Sequence, residues 1–352
     1  MTERDPVQDV FYTEITAQPA ALERAAAGLA DQVGRLDLLA GFSGPVVLTG
    51  MGASYDACLA AASALGRAGV PSTPVNTAEL LHFRLPALRP GTLVVAISQS
   101  GRSAELVRLA EALGTGIELV TITNGVGNPL AARAGVALDT FAGPEYGPST
   151  GTFAATFPAL LALVRVLSGA DPKKAVAEAV TLTATAAKRA DDIVATGSAL
   201  AEVMAEWLGD RRNAVLVGRG TALAAADLGS LVLKEAARFA AECLDAAEFR
   251  HGPLELAGPD LAVAVVATEA ATRELDLALA AEVAAHSGSV LLITPDGVTM
   301  PGVTSVAVGE TDPLLAPAIA AIPFQLLAWR LALAGGQEPG RFLIGSKITT
   351  RE

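Results

Sequence analysis

One pattern recurs along this chain. A short apolar, β-branched run enters a turn rich in glycine or hydroxyl residues, and a helical period follows. The sharpest instance is Leu93-Val94-Val95-Ala96-Ile97, which runs into Ser98-Gln99-Ser100-Gly101-Arg102-Ser103 and then into a helical stretch over 104–113. A continuous apolar run of this length reads as a strand buried on both faces, as parallel sheets require. Val46-Val47-Leu48-Thr49-Gly50 leads in the same way through Gly52-Ala53-Ser54-Tyr55 into a helix over 57–65. Further strands are expected at 72–76, 117–124 and 136–140, a short helix at 78–83 and a longer one over 153–167. Strands alternating with helices at this spacing predict an α/β fold built on a doubly wound parallel sheet.

The pattern restarts at Asn213-Ala214-Val215-Leu216-Val217-Gly218-Arg219-Gly220. A long helix is expected over 222–242, strands at 261–267, 289–294 and 305–308, and a closing helix over 314–333. The second half therefore repeats the first in architecture, giving two tandem doubly wound, flavodoxin-like domains. The expected organisation is a helical segment at 1–44, a first domain at 45–170, a helical linker at 171–210, a second domain at 211–335 and a tail at 336–352.

The polar turn at Ser98–Ser103 has two readings. Unpaired N–H groups at a helix start, the helix dipole and serine hydroxyls together suit a phosphate. An ordinary turn capped by Ser103 accounts for the same residues. Ligands on such sheets sit outside the carboxyl ends of strands, and turns at Ser54, Ser98–Ser103 and Ser149-Thr150 all follow strands. After Val266 the chain reads Ala267-Thr268-Glu269-Ala270-Ala271-Thr272, without a serine-glycine turn. One phosphate site per chain is expected, in the first half.

Three further residues could do chemistry. Glu235 lies among Leu231, Val232, Leu233, Ala236 and Ala237; apolar company raises a carboxyl pKa and suits proton transfer, whereas a solvated helix face is the plain alternative. His251, between Arg250 and Gly252-Pro253, belongs in a tight loop, where an imidazole can be structural or can move protons. Lys347 in the tail is a surface amine or a Schiff-base nucleophile. No metal-ligand spacing and no Ser-His-Asp elbow is present, and no cofactor is expected.

Composition narrows the classes. The net charge is −12, and residues 1–44 hold seven acidic and three basic side chains, the wrong sign for nucleic acid. No secretory signal pattern and no uninterrupted apolar run of about 18 residues is present, so no membrane association and a cytoplasmic location are expected. Cys58 and Cys243 both fall in helical pattern and are expected to be buried free thiols.

Seven stretches in order resemble the tandem SIS (sugar isomerase) family, above all the isomerase half of glutamine–fructose-6-phosphate aminotransferases and stand-alone relatives such as SIS-type glucosamine-6-phosphate deaminase. They are Gly52-Ala53-Ser54-Tyr55, Ile97-Ser98-Gln99-Ser100-Gly101, Ala142–Gly147 with Ser149-Thr150, Gly218-Arg219-Gly220, Leu233-Lys234-Glu235, Arg250-His251-Gly252-Pro253-Leu254 and Pro323–Ala328. The resemblance implies phosphate binding by Ser54, Ser98, Gln99, Ser100 and Ser103, with Gly52, Ala53, Gly101, Glu145 and Ser149 also at the substrate. It implies that Glu235 moves a proton between C1 and C2 of the sugar. His251 would open the ring from the neighbouring subunit of a homodimer whose active site lies at the interface. Lys347 would form a Schiff base with the open ketose. Ala53 stands where the family has threonine, Val232 where the synthase has lysine, and Lys347 aligns with an offset of one residue. The sequence starts without a glutaminase-like segment, so water or ammonia is the expected second reactant. The resulting expectation is an isomerase or deaminase of an amino-sugar phosphate such as glucosamine 6-phosphate. Alternatives are a deglycase or isomerase of another N-substituted sugar phosphate and a non-catalytic sugar-phosphate-binding regulator.

Overall fold

The computed structural model describes residues 9–286 and 288–351; the part of the N-terminal helical expectation that falls on residues 1–8 lies outside them. The chain divides into two compact units. The first comprises residues 20–144, 151–184 and 344–351, and the second residues 9–19, 145–150 and 185–343. Neither unit is continuous in sequence.

The first unit holds a parallel sheet of β1 (Val46–Gly50), β2 (Ser72–Asn76), β3 (Leu93–Ser98), β4 (Glu118–Thr123) and β5 (Val136–Asp139), in the order β2-β1-β3-β4-β5. Every residue of β3 is buried, as its uninterrupted apolar run requires. On one face Val94, Ala96, Leu106, Leu119 and Leu130 form a core cluster. The edge at β5 is closed by a side chain: Gln32 Nε2 donates to Asp139 O (3.0 Å), and Asp139 N donates to Gln32 Oε1 (2.7 Å). The amide thus completes hydrogen bonds that an edge strand otherwise leaves open.

The second unit repeats the design with β6 (Asn213–Gly218), β7 (Ala240–Asp245), β8 (Ala262–Val266), β9 (Ser289–Thr294) and β10 (Val303–Ala307), in the order β10-β9-β8-β6-β7. Read from β7, this is the order of the first sheet. The expected long helix over 222–242 is corrected here: helix Leu223–Ala237 stops at Arg238, which is left-handed (φ 52°), and residues 240–245 pair with β6 as an edge strand. The Ala-rich stretch carries no glycine or proline to mark the stop, and pairing with β6 overrides its helical propensity. Cys243 is therefore a half-buried strand residue rather than a helical one, while Cys58 is buried in helix Ala53–Arg67; both are free. Burial, with the Asp56 carboxylate second, pushes the Cys58 thiol well above its usual value, which makes it a poor nucleophile. The described tail, expected to end β-like, contains no strand.

Residues 9–19 belong to this second unit because helix Val10–Thr16 docks there. Asp9 caps it, accepting from Phe11 N (2.9 Å), and also accepts from Trp329 Nε1 (3.0 Å). Tyr12 and Trp329 ring centroids are 4.5 Å apart. The stretch Ala316–Ala334 is long and apolar enough by average hydropathy to cross a membrane, although Gln325 and Arg330 interrupt it; 83% of it is buried inside the protein, as in a core helix.

Gln325 is the polar centre of that helix. Its Oε1 accepts from Gln18 Nε2 (2.6 Å), and its Nε2 donates to Ser149 O (3.0 Å); both glutamines are fully buried. Replacing Gln325 by leucine removes one of the two acceptors of the buried Gln18 amide, which keeps Ile15 O, and the donor to the half-buried Ser149 carbonyl. The variant is expected to lose about 1–3 kcal/mol of unfolding free energy. Urea denaturation at equilibrium checks this, and an unchanged midpoint would show that the network adds nothing.

Candidate functional site

In the first sheet the connections from β1 and β3 leave in opposite directions, so the strand order reverses between them. Two turns open at this switch point, where open α/β sheets bind ligands. After β1 come Gly52, Ala53 and Ser54; Ser54 is half-buried, and its carbonyl accepts from Cys58 Sγ (3.2 Å). After β3 comes Ser98–Ser103. These two serine turns, both expected at the site, are brought to the same sheet edge.

The second turn is shaped by hydrogen bonds to backbone. Ser98 Oγ accepts from Gly101 N (3.1 Å), and Ser100 Oγ accepts from Arg102 N (3.2 Å). A hydroxyl that accepts keeps its own proton to donate, so both serines can still donate to an anion. Ser103 is the N-cap of helix Ala104–Ala112 by backbone angles, yet its side chain makes no capping bond. Its hydroxyl is not consumed by the cap, contrary to the capping alternative. The Ala104 N–H instead donates to Thr349 O in the tail (3.2 Å). That bond brings the segment carrying half-buried Lys347 to the start of the helix that follows the serine turn.

The turn is also held from β4. Asn124 N donates to Gln99 O (3.1 Å) and Leu130 N to Gly101 O (3.2 Å). Asn128 packs against Gly101, which has φ 60°, and a Cβ there would lie 1.9 Å from Asn128 Oδ1. The Asn128 side chain is locked in turn, accepting from Ala131 N (2.9 Å) and donating to Gly125 O (2.7 Å). Asn128 was not among the residues expected at the site. Its one sequence signal is its place in the turn-rich run Asn124-Gly125-Val126-Gly127-Asn128-Pro129.

The remaining expected residues belong to the second unit. Glu235 is half-buried on helix Leu223–Ala237, flanked by buried Val232, Leu233 and Ala236. His251 is exposed; it ends helix Ala246–Arg250, and Gly252 (φ 136°) turns the chain after it, which gives the expected tight loop. Glu145 is 8% exposed, and its carboxylate accepts from Thr150 N (3.0 Å) and Thr150 Oγ1 (3.1 Å), so it braces its own loop. Ser149 lies in that loop, with its carbonyl held by Gln325.

The SIS domain model matches residues 43–167 and 208–333. Glutamine–fructose-6-phosphate aminotransferase (isomerizing) of Pyrobaculum aerophilum is 32% identical over 339 residues, covering 93% of this chain and 55% of the relative. The chain spans about half the length of the curated relatives it matches. The C-terminal domain of glucosamine-fructose-6-phosphate aminotransferase from Francisella tularensis superposes with a TM-score of 0.84 at 23% identity, covering 95% of this chain and 98% of that one. Glucosamine-6-phosphate deaminase from Thermotoga maritima superposes with a TM-score of 0.69 at 17% identity, covering 94% and 97%. At these identities the two superpositions speak for the fold. Two sheets of one strand order, each within a matched segment, place this chain in the SIS domain family, with two such domains in tandem.

Proposed function

We propose that the protein is a phosphosugar isomerase whose substrate is an amino-sugar phosphate such as glucosamine 6-phosphate. The observation that carries this reading is the β3 turn at the first switch point. Ser98 and Ser100 each retain a proton to donate there, and Ser103 keeps its hydroxyl out of the cap. Three hydroxyls and a helix N-terminus are a fitting cradle for a phosphate monoester. The amino-sugar assignment draws on the names of the relative and of the two superposed structures.

In this reading the phosphate is the handle and three other groups act on the sugar. His251, supplied by the partner in a homodimer, assists ring opening. Lys347 holds the open ketose as a Schiff base. Glu235 takes the proton from one of C1 and C2 and returns it to the other. With glucosamine 6-phosphate, the isomerised imine adds water and releases ammonia, leaving fructose 6-phosphate. The cytoplasm is the proposed location.

Incubation with glucosamine 6-phosphate, with ammonia and fructose 6-phosphate assayed separately, tests the substrate. No turnover of this or of other aldose and ketose 6-phosphates, alongside intact binding, would favour a regulator instead. Glu235→Gln is expected to lower kcat by about 10²–10⁴-fold, the usual contribution of a positioned base, with little change in sugar-phosphate affinity. Ser100→Ala is expected to weaken sugar-phosphate binding by about 10-fold or more, the value of one hydrogen bond to a charged group, read by calorimetry. Borohydride added with fructose 6-phosphate should trap the sugar covalently on the wild type, read as a mass increase, and leave Lys347→Ala unlabelled; equal labelling of both would remove Lys347 from the reaction.

A further inference from the structure

The second unit has the same strand order and therefore its own switch point, between β6 and β8. Register allows the two units to be compared position by position. Thr49 pairs with Ala96, and Val217 pairs with Val265. β1 and β6 end one residue later, at Gly50 and Gly218. Counting on, Gly52 matches Gly220, and both are left-handed, at φ 52° and 57°. Ala53 matches Thr221. On the neighbouring turn Ser100 matches Glu269, and Ser103 matches Thr272. Those last two are the N-caps of helices Ala104–Ala112 and Arg273–Ala285, which supports the register.

Where the first unit has the Ser100 hydroxyl, the second has a carboxylate. Glu269 is 3% exposed. Its Oε1 accepts from Thr221 N (3.0 Å) and from Thr221 Oγ1 (2.6 Å). A Cβ on Gly220 would lie 3.0 Å from the same oxygen, so the glycine lets the carboxylate approach the backbone closely. The turn Gly220–Ala222 passes directly into the fifteen-residue helix Leu223–Ala237, whose dipole favours a negative group at this end. Arg219, the nearest cation in sequence, is ion-paired with buried Asp276. The carboxylate oxygen Oε1 accepts from a backbone N–H and a hydroxyl at a helix start. A phosphate oxygen makes the same demands.

We infer that the second SIS domain keeps an anion-binding switch point and that the side chain of Glu269 occupies it, acting as a built-in ligand that holds the chain to one phosphate site. The comparison rests on reading the first-unit serine turn as a phosphate site; the Glu269–Thr221 contact does not. Shortening Glu269 to the serine found at the matching position should vacate the site and leave the Thr221 N–H to take a phosphate oxygen, with Thr221 Oγ1, which also lies 2.8 Å from Pro313 O, able to turn its one proton toward it.

The test is calorimetric titration of the whole chain with inorganic phosphate and, separately, with glucose 6-phosphate. Wild type and Glu269→Gln, whose amide still fills the space, are expected to bind one equivalent per chain. Glu269→Ser is expected to bind two equivalents of inorganic phosphate. A folded Glu269→Ser protein that binds one equivalent overturns the inference and leaves the first-unit reading standing. If the wild type binds none and Glu269→Ser binds one, the inference stands and the first-unit reading falls. Thermal midpoints cover the case of a weakened variant. At matched ionic strength, sulfate in place of chloride should raise the Glu269→Ser midpoint by more than it raises the wild-type midpoint, and equal shifts would overturn the inference.

Discussion

Everything at the candidate site depends on one constraint of parallel sheets. In a doubly wound sheet one strand is paired on both sides by neighbours reached in opposite directions. β1 is such a strand, between β2 and β3, and β6 is its counterpart, between β7 and β8. In open α/β sheets such a divergence is where a crevice forms at the carboxyl ends. What each domain does is then decided by a handful of turn residues. Serine hydroxyls furnish the first crevice, and a carboxylate and a threonine furnish the second.

The strands with the clearest hydrophobic runs were legible in the sequence, because burial on both faces leaves little freedom of composition. β3 and β8 are buried throughout and stand where the apolar runs lie. β7 was not legible. It is an edge strand with alternating exposure, written in alanine, glutamate and cysteine, and only its pairing with β6 makes it a strand. The helix before it ends on Arg238 in a left-handed conformation, where a glycine would have announced the stop.

The site was legible to the extent that its chemistry sits on one contiguous stretch. Ser98 to Ser103 could be read as a unit because the residues that shape the turn are also the ones whose hydroxyls keep a proton to donate. Asn128 could not be read, since its role comes from packing on Gly101 across the sheet edge. In the sequence Glu269 is merely one residue of a turn lacking serine. Its significance depends on a register that only the paired strands supply. The absence of serine from that turn says nothing about what fills the second switch point.

The bond from Ala104 N to Thr349 O has a consequence for how the protein is made. The helix that begins at the serine turn takes its backbone cap from a residue encoded after the entire second domain. A ribosome that has finished the first sheet has not yet delivered that cap. The first domain can assemble its strands early, but the helix start beside its serine turn is completed only when synthesis has passed residue 349. Residues 9–19 run the other way: they emerge before either sheet and wait for Trp329, their partner near the end of the second domain. The two domains are consecutive in the gene but finish almost together on the ribosome.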